Sequence, residues 1–278
     1  MIEIKSVNFQ YFGTKKSILQ DFSLKIEKGE CIGIIGPTGS GKSTICYLLN
    51  GLIPHYFNGY FSGFVSVCGK NPSEETVEKM SKVVGFMLQE PSLQIFSPQV
   101  ESEITFGMEN LAISENEIDK RLKQVLKELD IESLRYRSTS DLSEGEKQKV
   151  VLASILAMDP DVLVLDESSS MVDLKSKQEL VKILVRLNEI DKKTIILIDH
   201  DFEIITQVAK RVLLINNGLI VADKPTHEMF VDSNLLINNG LIPPVLTKLF
   251  NELKNKKLPV SEIPSSYVEA LKILRSWL

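Results

Sequence analysis

Nine consecutive residues have the types and spacing of a phosphate-binding loop. They follow the pattern G-x-x-x-x-G-K-[ST] and are Gly36, Pro37, Thr38, Gly39, Ser40, Gly41, Lys42, Ser43 and Thr44. Glycines allow successive backbone N–H groups to curl around phosphate oxygens, and the helix N-terminus that follows adds partial positive charge. The lysine can reach the terminal phosphates of a nucleotide, and Ser43 can bind Mg²⁺. The pattern therefore predicts a nucleotide-phosphate site.

A second, acidic motif narrows the chemistry of that site. Asp166 ends the apolar run DVLVLD, and Glu167 follows it directly. An aspartate at the end of a buried strand can bind Mg²⁺, and a neighbouring glutamate can polarise the attacking water. Without the glycine loop, two solvated carboxylates would be an equally good interpretation. The phosphate loop alone does not separate kinases, GTPases and ATPases, but together the two motifs predict an enzyme that binds a nucleotide such as ATP with Mg²⁺ and hydrolyses it.

Residues 142–148, with the sequence LSEGEKQ, open a predicted helix between these two motifs. The run resembles LSGGQ, the signature of the ABC ATPase family. In that family the signature serine and the backbone beside it contact the γ-phosphate bound by a partner subunit. The resemblance therefore implies that Ser143 and Gly145 serve a second ATPase subunit. A capped surface helix would explain Ser143 alone, but not the spacing to Asp166.

Further positions match the same family, and they are Tyr11, Gln89, Asp173 and His200. The resemblance implies that the glutamine binds Mg²⁺ and senses the γ-phosphate, and that the histidine is the catalytic switch residue. The aspartate belongs to the D-loop, just past Glu167. The tyrosine lies where an aromatic ring stacks on adenine, and Phe9 and Phe12 remain open alternatives for that role.

The signature departs from the family pattern at two positions. Glu144 and Glu146 replace the usual Gly and Gln. A carboxylate about 7 Å from a phosphate would cost on the order of 2 kcal/mol at an effective dielectric near 20, if the side chain points at the nucleotide. We therefore expect a working but weakened signature. The acidic substitutions also mildly favour a paralogue over a second copy of this chain as the partner ATPase, although the sequence leaves both open.

The segment QEPSLQIF at residues 89–96 indicates a subgroup of the ABC ATPase family. It carries Gln94, a second glutamine after Gln89. It resembles the corresponding region of energy-coupling-factor transporters, as do LNGLIP at 49–54 and GLIPP at 240–244. This resemblance implies a peripheral subunit on the cytoplasmic face of the cell membrane. Its partners would be a transmembrane energy-coupling subunit and a small substrate-capture membrane protein, and its cargo vitamins or transition-metal ions.

The pattern around these motifs predicts an α/β fold. Alternating and fully apolar runs indicate an antiparallel β-subdomain and a P-loop core sheet, and helical periodicity indicates an inserted helical subdomain at about 90–160. These elements would form a nucleotide-binding domain over residues 1–232. Residues 233–278 would form a C-terminal helical dimerisation module. The alternative is that both tail helices only cover the subunit's own core. Their apolar positions are Val245, Leu246, Leu249, Phe250, Leu253, Val268, Leu271, Ile273, Leu274, Trp277 and Leu278.

Composition narrows the remaining alternatives. The 278 residues carry a net charge of −5, which argues against a nucleic-acid partner because duplex binders usually show a basic excess. No run reaches the roughly 18 apolar residues of a membrane span. A conventional ABC transporter ATPase remains the first alternative, and a non-transport ABC ATPase acting on nucleic acid or ribosomes the second. An inactive nucleotide-binding module is disfavoured because Lys42, Asp166, Glu167 and His200 are all present.

Overall fold

The computed structural model describes residues 1–166, 173–260, 262–264 and 267–277, apart from the side chain of Val268. Its strands are β1 (Ile2–Tyr11), β2 (Leu19–Ile26), β3 (Cys31–Ile35), β4 (Gly59–Val67), β5 (Val84–Met87), β6 (Val162–Asp166), β7 (Thr194–Ile198), β8 (Arg211–Asn216) and β9 (Leu219–Pro225). Its helices are α1 (Lys42–Leu49), α2 (Leu52–His55), α3 (Val77–Ser81), α4 (Val100–Asn110), α5 (Glu115–Glu128), α6 (Glu144–Ala157), α7 (Leu174–Glu189), α8 (Phe202–Val208), α9 (Thr226–Val231), α10 (Ser233–Asn238), α11 (Val245–Asn255) and α12 (Tyr267–Arg275).

The strands form an antiparallel sheet and a mainly parallel sheet, as the sequence predicted. The antiparallel sheet has the order β2-β1-β4, and the larger sheet has the order β5-β6-β7-β3-β8-β9. Helix α7 connects the parallel neighbours β6 and β7. Strand β9 runs antiparallel to β8, and Asn217 and Gly218 turn the chain between them with positive φ, the conformation of a tight hairpin.

The core sheet separates two hydrophobic clusters. Strands β3, β6 and β7 are buried along their whole length, as expected for strands covered on both faces. In β6, Val162 and Val164 pack with the antiparallel sheet and α1, whereas Leu163 and Leu165 pack with the helices on the opposite face. Alternate side chains of a strand point to opposite faces, so one short strand anchors both layers.

The helical insertion lies between β5 and β6 and contains α4, α5 and α6. Helix α5 agrees with the helical periodicity of this region, because Leu122, Val125 and Leu126 form its buried face. Helix α1 begins at Lys42, three residues before Ile45, its first apolar residue. Its first turn is polar and shows no apolar periodicity, so the pattern alone could not detect the start.

The tail packs on the body of the subunit through part of its apolar surface. Phe250 of α11 is fully buried, and the hydroxyl of Thr247 donates to the carbonyl oxygen of Phe230 over 2.9 Å. Val245 and Leu249 remain 71% and 41% exposed. In the described part of the chain, no helix is long and apolar enough to cross a bilayer.

Candidate functional site

Four neighbouring parallel strands end at one edge of the core sheet, and a predicted site residue ends or closely follows each. In the sheet order β5, β6, β7 and β3, these residues are Gln89, Asp166, His200 and Gly36. Ligands of open α/β sheets bind outside the carboxyl ends of parallel strands. The structure thus collects at one edge four motifs that are widely separated in the sequence.

The phosphate loop joins the end of β3 to the start of α1. Gly36 lies so close to β8 that a Cβ atom there would be 2.0 Å from the carbonyl oxygen of Ile215. Gly41 has φ +107° and directly precedes Lys42, the first residue of α1. A side chain at Gly36 would clash with β8, and a side chain at Gly41 would be strained by the positive φ. Glycine is therefore the residue that fits both positions at little cost. The loop therefore presents backbone N–H groups and a helix N-terminus to the same space.

The lysine of the loop curls back over the loop itself. The Nζ atom of Lys42 donates to the carbonyl oxygens of Gly36 at 2.9 Å and Pro37 at 3.1 Å, and the side chain is buried. Within the described part of the chain, the buried hydroxyl of Ser40 has no hydrogen-bond partner. A buried polar atom without a partner is unfavourable unless a ligand completes it. These donors fit phosphate oxygens.

The acidic residue at the end of β6 faces the phosphate-loop helix. Asp166 is only 5% exposed, and its charge adds to burial in raising the pKa of the Cys46 thiol on α1. Ser43 lies in the first turn of the same helix. Carboxylate and hydroxyl oxygens are suitable ligands for Mg²⁺, and Gln89 offers an amide oxygen from the next strand. Glu167, the predicted water-activating residue, lies outside the described residues.

Gln94 has a structural role that its sequence position did not reveal. Its Nε2 atom donates to the carbonyl oxygen of Phe86 over 3.1 Å, and its Oε1 atom accepts from the N–H of Leu88 over 2.7 Å. The side chain therefore clamps the end of β5 immediately before the exposed Gln89. Sequence reasoning used Gln94 only as a subgroup mark, because a contact between its amide and the backbone six and eight residues earlier has no periodic signal.

The aromatic candidates for adenine stacking differ in burial. Phe9 is 1% exposed and packs in the core, so its ring faces are unavailable. Tyr11 is half-buried, and its hydroxyl is 3.0 Å from the hydroxyl of Thr44 on α1. Burial raises the pKa of Tyr11, and the bond to Thr44 opposes that rise. Phe12 is 57% exposed and contacts Tyr60 edge to face. Tyr11 is thus the aromatic candidate fixed to the phosphate-loop helix.

The signature turn is a reciprocal helix cap. Ser143 caps α6, and its Oγ atom accepts from the backbone N–H of Glu146 over 3.3 Å. The Glu146 carboxylate accepts in return from the N–H and the hydroxyl of Ser143, both at 2.8 Å. These bonds hold the pKa of Glu146 below its usual value, with the backbone N–H as the largest cause. The structure therefore turns this acidic side chain onto the cap.

Both signature glutamates have basic partners. Glu144 pairs with Lys147 over 2.8 Å along the helix. Glu146 pairs with Arg137 over 3.0 Å, a residue that sequence reasoning missed. The repulsion expected from two unpaired carboxylates is therefore reduced on both, because each negative charge has a positive neighbour.

The glycine of the signature allows a close approach to the start of α7. A Cβ atom on Gly145 would be 2.6 Å from the hydroxyl oxygen of Ser176. Asp173 caps α7 by accepting from the N–H of Ser176 over 2.9 Å, which lowers the pKa of Asp173. The predicted D-loop aspartate and the signature therefore meet through Ser176. The stretch Ser170-Met171-Val172 of the D-loop lies outside the described residues.

A polar link connects α7 to the turn that carries His200. Lys177 of α7 donates to the carboxylate of Asp201 over 2.7 Å. Asp201 also caps α8, and its N–H donates to the buried Asp199 over 2.8 Å. His200 itself is exposed between these two aspartates. The turn is therefore held from both sides while the histidine faces outward.

Comparisons with known proteins show the family of the chain. The family profile described as ABC transporter matches residues 19–170, which include the phosphate loop, the signature turn and Asp166. A protein of Pyrococcus abyssi named as an ABC transporter ATP-binding protein is 39% identical over 256 residues, 92% of this chain and 91% of that protein.

Two proteins of Clostridium perfringens are similar over nearly the whole chain. Its energy-coupling factor transporter ATP-binding protein EcfA2 is 37% identical over 268 residues, 94% of this chain and 92% of that protein. The solved structure of its cbiO1, part of the ABC transporter complex cbiONQ, matches with a TM-score of 0.76 and 29% identity. The match covers 90% of this chain and 98% of cbiO1, and it confirms the predicted fold.

Proposed function

The chain belongs to the family of ABC transporter ATP-binding proteins, and on this premise we propose that it powers a membrane importer of the energy-coupling-factor type. It is an ATPase, as the sequence predicted, and its fold is that of the family. The importer class is supported by Gln94, the second glutamine by which the segment at 89–96 resembles energy-coupling-factor transporters. The likeness to EcfA2 over 94% of the chain also supports it. The cargo would be a micronutrient such as a vitamin or a transition-metal ion.

The residues at the strand-end edge would form the half of an ATP-hydrolysing site that one subunit contributes. The phosphates would take up the donors of the loop, and Lys42 would exchange its carbonyl partners for β- and γ-phosphate oxygens. Tyr11 would stack on adenine. Ser43, Asp166 and Gln89 would hold Mg²⁺, which when bound supplies Lewis-acid stabilisation of phosphate charge.

The catalytic roles in this half-site belong to the residues that follow β6 and β7. Glu167 would polarise the attacking water, and His200 would contact the γ-phosphate. The link from Lys177 to Asp201 would hold the histidine turn in place during this step.

A second ATPase subunit would complete each site. Ser143, Gly145 and Asp173 are presented by the signature turn and the start of α7, which meet at Ser176. As the likeness to the family implies, they would serve the nucleotide of a partner, either a copy or a paralogue, with the paralogue mildly favoured. The exposed apolar residues of the tail, Val245 and Leu249 among them, would keep the two subunits associated.

A membrane subunit would dock beside Gln89. Leu93, Phe96 and Phe106 are 74%, 64% and 41% exposed, and the two phenylalanine rings contact each other edge to face. Phe96 and Phe106 border a cavity of about 300 Å³ between the core sheet and the helical insertion. An exposed apolar patch of this kind suits a helix of the transmembrane energy-coupling subunit. The chain would thus lie peripherally on the cytoplasmic face of the membrane.

Purification of the tagged chain from its native membrane in mild detergent tests the importer class. We expect two ATPase subunits, one energy-coupling membrane subunit and a small substrate-capture protein in the complex. A complex with two complete transmembrane domains and no capture protein would instead identify a conventional ABC transporter. Gln94→Ala should reduce cargo uptake more than basal ATP hydrolysis, because it loosens the strand end beneath the docking patch. Gln124→Ala, which removes an exposed bond within α5, is the matched control.

A further inference from the structure

The signature turn carries an ionic contact that none of the roles above uses. One Nη atom of Arg137 donates to the Glu146 carboxylate over 3.0 Å, and the other donates to the carbonyl oxygen of Asp141 over 2.6 Å. The guanidinium is thereby fixed at two points across the turn that leads into α6. Its side chain is 43% exposed, so it lies at the surface of the turn.

The backbone of Arg137 is anchored independently of its side chain. Its carbonyl oxygen accepts from the N–H of Val100 over 3.1 Å, at the first residue of α4. Two residues earlier, the carbonyl oxygen of Arg135 accepts from the N–H of Glu101 over 3.0 Å. The segment that holds the guanidinium is thus tied to the helix that follows Gln89 and Gln94.

The contact matters because two anions compete for the same donors. The Glu146 carboxylate already accepts from the N–H and the hydroxyl of Ser143, and a helix N-terminus attracts phosphate as well as carboxylate. A bare carboxylate there would repel a γ-phosphate that approaches Ser143. With the guanidinium bound, the pair is neutral, and the phosphate meets no net negative charge.

We propose that Arg137 is a positioning residue of the two-subunit ATP site: it neutralises Glu146 and holds that carboxylate, so that the γ-phosphate bound by the partner can take over the N–H and hydroxyl donors of Ser143. This inference rests on the proposed pairing of two ATPase subunits. It does not depend on the importer class or on the cargo.

A double-mutant cycle in the assembled ATPase pair tests the proposal. The variants are Arg137→Ala, Glu146→Gln and both together, and the readouts are pairing driven by a non-hydrolysable ATP analogue with Mg²⁺ and the KM and kcat for ATP. Arg137→Ala should raise the analogue concentration for half-maximal pairing by about tenfold, because it exposes one charge near the phosphate. ATP binding to the unpaired chain should not change, since its own phosphate loop is untouched.

Rescue separates this role from a loss of folding. Glu146→Gln should restore pairing in the Arg137→Ala background to within about twofold of Glu146→Gln alone, because no charge then remains to be neutralised. Arg137→Lys should restore part of the effect. The defect of Arg137→Ala should also shrink as salt is raised, since salt screens exposed charges. Arg135→Ala is the matched control, because that residue pairs bidentately with Glu101 and does not touch the cap.

The outcomes are distinguishable. If the wild-type chain shows no nucleotide-driven pairing with either a copy or its paralogue, the two-subunit site fails and this inference fails with it. If the wild type pairs but Arg137→Ala pairs equally well, only the inference is overturned. It is also overturned if Glu146→Gln gives no rescue, or if Arg135→Ala causes the same defect.

Discussion

The strand-end edge and the signature turn each contain a glycine pressed against a neighbour, but the neighbours differ in kind. At Gly36 the obstacle to a Cβ atom is a backbone carbonyl oxygen of β8, 2.0 Å away. At Gly145 it is the hydroxyl of Ser176, 2.6 Å away, and a side chain can rotate. At the strand-end edge, the phosphate loop packs against the backbone of β8, a strand of the core sheet. At the signature turn and in the tail, the contacts at the surface are made by side chains. In our proposal these two surfaces face a partner subunit.

The difference indicates which changes each region tolerates. A phosphate loop that packs against main-chain atoms tolerates few other residue types. The loop sequence of this chain therefore matches the pattern G-x-x-x-x-G-K-[ST] at every fixed position. At the signature turn Glu146 replaces the usual glutamine, and Arg137 and the cap accommodate it. Surfaces built from side chains can exchange partners without moving the backbone, whereas a buried sheet edge cannot.

The largest effect should come from the chemistry at the strand edge. Glu167→Gln should leave ATP binding unchanged and reduce turnover by about 10²- to 10⁴-fold, because it removes the group that polarises water. ATP affinity and steady-state hydrolysis of the assembled complex measure the two effects. Turnover close to that of the wild type would refute the role of Glu167. With a paralogue as partner, the activity of the other site is measured separately and subtracted.

The contact between the phosphate loop and the backbone of β8 can be tested by substitutions of the loop glycines. Gly36→Ala should lower the free energy of unfolding by on the order of 3 kcal/mol, because the added methyl group meets a carbonyl oxygen of β8 that cannot move alone. Gly39→Ala is the control: it has φ +78° and no atom within 4 Å of the added Cβ, so it should cost only about 1 kcal/mol of backbone strain. Denaturant unfolding of both variants compares them, and equal losses would contradict this contact.

Variants of the tail test whether its exposed apolar side chains hold the two subunits together. Truncation after Gly240 should weaken nucleotide-free association and leave ATP binding intact, but it also removes the fully buried Phe250. Combined Val245→Lys and Leu249→Lys avoids that problem and should weaken nucleotide-free association by about tenfold or more, because charge replaces exposed apolar contact area.

Sedimentation without nucleotide measures this association. The control is Ile190→Lys at the end of α7, where the side chain is equally exposed at 71%. An unchanged dissociation constant in the folded double variant would mean that the tail helices only cover their own subunit.

The smallest effect is expected at the signature glycine. Gly145→Ala should reduce the free energy of unfolding by about 1 kcal/mol or less, because Ser176 can turn its hydroxyl away. Ser176→Ala in the same chain should recover most of that loss, since it removes the atom in the way. Thermal unfolding of the two single variants and the double variant measures this coupling. A loss as large as that of Gly36→Ala would remove the distinction between the two regions.

Much of the fold could be predicted from the sequence because its signals are local. The alternation in β1 and β2, the apolar runs of β6 and β7 and the periodicity of α5 each indicate an element within a few residues. The start of α1 at Lys42 leaves no such signal, because its first turn is polar. The cap at Ser143 was predicted from its position, but its bond partner was not, since Glu146 had been expected to weaken the site rather than to complete the cap.

The sequence by itself determined the family, the ATPase activity and the order of the motifs, because glycines, strand-end carboxylates and the signature are defined by residue type and short spacing. Only the tertiary structure decided which strands are neighbours, and therefore that Gln89, Asp166, Gly36 and His200 share one edge. It also decided that Gln94 clamps β5, and that Arg137 reaches Glu146 across a turn. These contacts depend on how chain segments cross and which rotamers their packing allows, and neither leaves a periodic trace in the sequence.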